Sequence, residues 1–139
     1  MTGPAPGKIL LRNARVYVKT TSDRTLLENA QVFIHLKGYS RARVTHIDIE
    51  HPKLNEIIPP RSGGFYRLLW HPRGIEVSLS RLVPGLSIIV EDNTLAKLLK
   101  PMEKSWCYVG GKSGGIFIGL KKHLIERLEK LVRELEGKE

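Results

Sequence analysis

A chain of 139 residues has the length of one domain, enough to bury a core. With 41% hydrophobic and 27% charged residues its balance is that of a soluble globular protein; no apolar run is long enough for a membrane-spanning helix, and one cysteine, Cys107, excludes a disulfide framework or a Cys-rich zinc site. The 23 Lys and Arg against 14 Asp and Glu leave a formal charge of +9, a lean towards polyanionic partners.

The opening MTGPAPGK is Gly/Pro-rich and has no apolar signal core, so a cytoplasmic protein is expected. Lys8 to Lys19 reads as extended, with a break at Asn13. Thr21 or Ser22 is placed to cap a helix. Leu26, Leu27, Ala30, Phe33 and Ile34 follow helical spacing up to Gly38, so a helix is expected over 23–37. YSRAR, residues 39–43, is a polar connection carrying Arg41 and Arg43. Arg43 to Glu50 reads as a strand limited by Pro52, and PPRSGG closes a turn-rich segment.

Phe65 to Trp70 reads as a strand, and HPRG as a tight turn. From Gly74 to Leu82 the apolar Ile75, Val77 and Leu79 alternate with Glu76, Ser78 and Ser80, as in a half-buried antiparallel strand. A Pro84-Gly85 turn leads to another strand through Val90, and Asp92 or Asn93 caps a short helix. Trp106 to Val109 is extended, GGKSGG is a glycine-rich loop, and Ile116 to Ile118 is a short apolar segment. The boundary near Gly119 divides an α+β body, residues 1–119, from a C-terminal segment, residues 120–139. There Leu124, Leu128, Leu131 and Leu135 make a leucine-zipper-like seam. The expected fold is α+β: a mostly antiparallel, four- to five-stranded sheet with flanking helices and a C-terminal amphipathic helix that packs on the sheet or joins protomers into a homo-oligomer.

The excess charge lies in the body. RSGGFYRLLWHPRG, residues 61–74, interleaves Arg61, Arg67 and Arg73 with Phe65, Tyr66 and Trp70 and has no acid. Guanidinium groups hold phosphates and rings stack on bases of any sequence, so the stretch has the chemistry of single-stranded nucleic-acid binding; a core strand with surface arginines explains it as well. Alternation puts Phe65, Arg67 and Leu69 on one face and Tyr66, Leu68 and Trp70 on the other, so only one face can stack on bases. Lys112 in GGKSGG again sets a cation beside the rings of Trp106 and Tyr108. That loop lacks the first glycine of a P-loop, which argues against a nucleotide hydrolase. HIDIEH, residues 46–51, offers His46, Asp48 and His51 to a metal, so a metal-dependent hydrolase is the alternative; an assembly module working through 120–136 is another.

The basic-aromatic body followed by a leucine-spaced helix resembles the ThermoDBP family of archaeal single-stranded DNA-binding proteins and their relatives, over most of the chain and as a layout. The resemblance implies binding of single-stranded DNA or RNA with little sequence preference; with no nucleophile signature and no known zinc spacing, a non-enzymatic protein without a cofactor or metal is expected. It implies an apolar cleft lined by Phe65, Tyr66, Trp70, Trp106 and Tyr108 and edged by Arg41, Arg43, Arg61, Arg67, Arg73 and Lys112. It also implies assembly through the C-terminal helix. Richness in Lys, Arg and Glu fits a thermophile.

Overall fold

The computed structural model describes residues 8–36, 44–100 and 104–120. The first stretch is one long bent hairpin, and the rest of the sheet is built from its two halves. One arm is β1 (Lys8–Leu10) and β2 (Arg15–Lys19); the other is β3 (Arg24–Leu26) and β4 (Gln31–Leu36). Lys8 pairs with His35 and Lys19 with Arg24, and the register between the arms does not slip at the bend. Backbone bonds from Leu11 N to Val32 O and from Leu27 N to Val16 O, both 2.8 Å, carry the pairing into it. Each arm bends at its own turn, closed by Ala14 N to Leu11 O and by Ala30 N to Leu27 O. Asn29 takes φ 66° there, a left-handed conformation that asparagine tolerates better than most residues.

Among the described residues the helix expected over 23–37 is therefore replaced by two strands, β3 and β4. Val32 and Ile34 are buried while Gln31, Phe33 and His35 beside them are not, an alternation of period two that competes with the helical spacing of Leu26, Leu27, Ala30, Phe33 and Ile34. Thr20 caps the hairpin turn instead of a helix: its hydroxyl accepts from the Asp23 amide at 3.0 Å.

The remaining strands are β5 (Val44–Glu50), β6 (Gly63–His71), β7 (Gly74–Ser78), β8 (Ser87–Glu91), β9 (Lys104–Lys112) and β10 (Gly115–Leu120). All pairs are antiparallel, in the order β1-β4-β5-β10-β9-β6-β7-β8-β2-β3. The two ends of this order are the two halves of the bent hairpin, which draws the sheet into a curl around its apolar face. The expected four- to five-stranded α+β sheet with flanking helices is thus corrected to one curled ten-stranded sheet. Among the described residues its only helical elements are α1 (Asn93–Leu99) and a 3-10 turn, Pro52–Glu56. GGKSGG is not an open loop. Its outer residues extend β9 and β10, and only Ser113-Gly114 turns, with Gly114 at φ 80°. The expected C-terminal helix, with Leu124, Leu128, Leu131 and Leu135, lies outside the described residues, as do Arg41 and Arg43. No helix among the described residues is long and apolar enough to cross a membrane.

The inner face is continuous apolar surface. Ile34, Ile47, Ile49, Ile116, Ile118, Leu68, Ile75 and Ile88 are fully buried, each contributing about 1.5–3 kcal/mol. Leu54 of the 3-10 turn, Ile58 just after it, and Leu95 and Leu99 of α1 complete the same core. Asp92 caps α1 by accepting from the Leu95 amide at 2.8 Å, as its position in the sequence predicts. Cys107 lies in this core, where burial pushes its thiol up to about 12. The native protein should therefore resist iodoacetamide at pH 8 and react once unfolded in urea. Alkylation of the folded protein at the rate of a free thiol would contradict the burial of Cys107 in β9.

Candidate nucleic-acid interface

With the apolar side chains turned inward, every other residue of β6, β9, β10, β5 and β4 points outward, and a row of rings crosses these five adjacent strands. Pairing sets Phe65 opposite Tyr108, Tyr108 opposite Gly119, Gly119 opposite His46 and His46 opposite His35. The rings touch in sequence. Phe65 meets Tyr108 edge-on with centroids 5.2 Å apart, and Tyr108 meets Phe117 at 5.8 Å. Phe117 lies 6.4 Å from His46, which stacks on His35 at 3.9 Å. Phe65 remains 48% exposed and Trp106, one pleat away, 40% exposed. These are large apolar surfaces left in water on one face, the form that a stacking platform takes.

Glycines make room for the rings. A Cβ on Gly110 would come within 2.5 Å of the Phe117 ring, and one on Gly63 would collide with the Tyr108 hydroxyl and the Val109 carbonyl. At Gly119 an added Cβ meets nothing closer than 3.8 Å.

Cations flank the row. Arg67 is exposed on β6 and lies over Trp106 at 5.4 Å. Arg81 reaches in from the β7–β8 connection and donates to the Phe65 carbonyl at 3.1 Å. Arg61 is exposed in the turn before β6, in the left-handed region at φ 69°. Its amide bonds the Gly111 carbonyl at 3.3 Å, while the Gly111 amide bonds Ser62 O at 2.8 Å, so Arg61 is tied beside Lys112. Asn55 holds the same hairpin from below, its amide nitrogen donating to Lys112 O and Gly115 O at 3.0 and 2.8 Å. Lys8 lies over Phe33 at 4.5 Å at the far end.

Charge at the histidine end is balanced. Asp48 accepts from His35 Nε2 at 2.6 Å and pairs with Lys112 Nζ at 3.3 Å; Glu50 lies 3.8 Å from the same ammonium. Burial, then the neighbouring His35, lowers the His46 pKa below its ordinary value, with Asp48 opposing, so His46 is neutral at pH 7.

The sequence-derived candidates thus divide. Phe65, Arg67, Trp106, Tyr108, Arg61 and Lys112 share one outer region. Tyr66 does not: it is 6% exposed and faces the core, because its place in β6 is out of phase with Phe65. Trp70 is on that inner face at the strand's end, where Nε1 donates to Ala96 O at 2.7 Å and ties β6 to α1. Arg73 lies in the β6–β7 turn and lines a separate groove with Lys19, Arg24, His71 and Glu91. The expected apolar cleft is an open sheet surface here. His51 is not with His46 and Asp48 either; it caps the 3-10 turn through Nδ1, and Nε2 bonds Glu28 O at 3.1 Å.

Phe117, Arg81, His35, Phe33 and Lys8 are the surface residues that motif reading missed. Phe117 was legible: in GIFIGL it alternates with two buried isoleucines and shares a face with glycines. Arg81 carried no local signal. A scan against protein-family models and searches of curated proteins and of solved structures find no match to this chain.

The glycine argument predicts a contrast. Gly110→Ala should cost about 1–3 kcal/mol in chemical denaturation, because the Phe117 ring must move, whereas Gly119→Ala should change stability little. Equal effects of the two substitutions would contradict the packing described.

Proposed function

We propose that this protein binds single-stranded nucleic acid, DNA or RNA, without sequence preference, on the outer face of β6, β9 and β10. The observation that carries this is the unbroken row of rings from Phe65 through Tyr108 and Phe117 to the histidines, with Arg61, Arg67, Arg81 and Lys112 around it. Unpaired bases stack on such rings whatever their sequence, and guanidinium and ammonium groups take the phosphates between them. A duplex keeps its base faces stacked inside and gains only the phosphate contacts. Of the ThermoDBP-like layout, only the basic-aromatic surface enters this proposal. The net charge of +9 supports the same class of ligand.

Phosphate contacts dominate such affinities, so binding should weaken steeply as salt rises. Titration of oligo-dT and oligo-U should show Phe65→Ala and Tyr108→Ala each losing about 1–3 kcal/mol, with a nearly unchanged salt slope. Arg67→Ala should lower the salt slope by about one contact. Arg24→Ala removes the same charge from β3, on the far side of the sheet, and should leave affinity within about twofold, a small effect for an exposed charge in an ion pair. Equal affinity for duplex and single strand, or full affinity in both ring variants, would refute the proposal.

A further inference from the structure

The histidine end of the ring row has a geometry that base stacking does not require. His35 and His46 stand directly opposite each other on β4 and β5, and Asp48 follows His46 on the same face. One donor atom from each of these residues lies within 4.8 Å of the others. We propose that His35, His46 and Asp48 form a binding site for one divalent transition-metal ion of the zinc, nickel or copper type.

Several contacts favour that use. Thr45 Oγ1 donates to the His35 carbonyl at 3.3 Å, so its oxygen is left to accept from His46 Nδ1 at 3.2 Å. That bond puts the proton on Nδ1 and the lone pair on Nε2, the free edge of the ring. Holding one imidazole nitrogen to aim the other is how protein ligands to metals are commonly oriented. His35 Nε2 is already directed at Asp48 Oδ2 at 2.6 Å. An ion replacing the shared proton needs donor atoms about 3.4 Å apart, from bonds of about 2.0–2.2 Å in tetrahedral geometry. Rotation of the partly exposed His35 side chain supplies that change. Imidazole donors select zinc, nickel and copper over magnesium and calcium. Three protein ligands leave a coordination position open to the solvent side of the sheet.

Lys112 is the resident competitor. Its ammonium sits 3.3 Å from Asp48 Oδ1, and an ion in the site must repel it. Glu50 Oε2, already 3.8 Å from Nζ, gives it a second partner to move to. Removing the ammonium should therefore tighten metal binding, which a merely solvated polar face would not show.

The test is calorimetric titration of the chelator-treated full chain with zinc alone, with the imidazole resonances followed by NMR. One equivalent of zinc should bind, shifting the His35 and His46 signals in the unmutated protein. His35→Ala and His46→Ala should each weaken binding by at least ~10-fold, the scale at which even outer-shell losses are felt. His51→Ala and His71→Ala should bind as the parent does, and Lys112→Met should bind more tightly. Circular dichroism of each variant separates loss of the site from loss of the fold, and the NMR shifts need no variant at all. Absence of stoichiometric binding, signals that move only at the other histidines, or full binding in the two alanine variants would overturn the proposal.

Discussion

The fold depends on a register that survives a bend. Lys8–Lys19 and Arg24–Leu36 stay in one antiparallel alignment although both arms turn at their middles. One half of the hairpin then pairs with β5 and the other with β8. A slip of one residue in either half would exchange inside for outside along that strand, turning Val32 and Ile34 into water and Phe33 and His35 into the core. The shared register therefore fixes which side chains meet in the interior and which are displayed.

From that constraint the outer surface follows. Antiparallel pairing aligns alternate residues across neighbouring strands, so rings from β6, β9, β10, β5 and β4 come into one row with no loop placing any of them. Gly63 and Gly110 keep the space beside Tyr108 and Phe117 free of side chains. The cations come from different sources: Arg67 from a strand, Arg61 from a strained turn held by Gly111, Arg81 from the β7–β8 connection. Residues on the sheet hold the rings, and longer side chains around them carry the charge. This division suits a ligand whose bases are flat and whose backbone is flexible.

Much of this arrangement could be read locally. The alternation from Ile75 to Leu79, the cap at Asp92, the break at Asn13 and the separation of Phe65 from Tyr66 depend on nearest neighbours in the chain, and the structure has them so, although the strand expected to Leu82 ends at Ser78 and Leu82 is exposed. The segment 23–37 reads as a helix because Leu26, Leu27, Ala30, Phe33 and Ile34 fall at helical spacing, while the strand alternation is carried by Val32 and Ile34 alone, and partners distant in sequence decide between the two. GGKSGG reads as a loop, yet its outer residues lengthen β9 and β10; Gly111 and Gly115 are glycines because the backbone carbonyls of Pro59 and Ile49 approach too closely for any side chain. The companionship of His35 with His46 and Asp48 arises only from cross-strand register, so HIDIEH alone pointed to His51 instead.

The central claim is that the ring row on the outer face of β6, β9 and β10 is where single strands bind. Mapping amide and side-chain shifts by NMR on addition of a short oligo-dT tests it most directly. The account predicts perturbations concentrated on Phe65, Arg67, Trp106, Tyr108 and Phe117, with β2 and β3 silent. Perturbations centred instead on the groove of Lys19, Arg24 and Arg73 would contradict it.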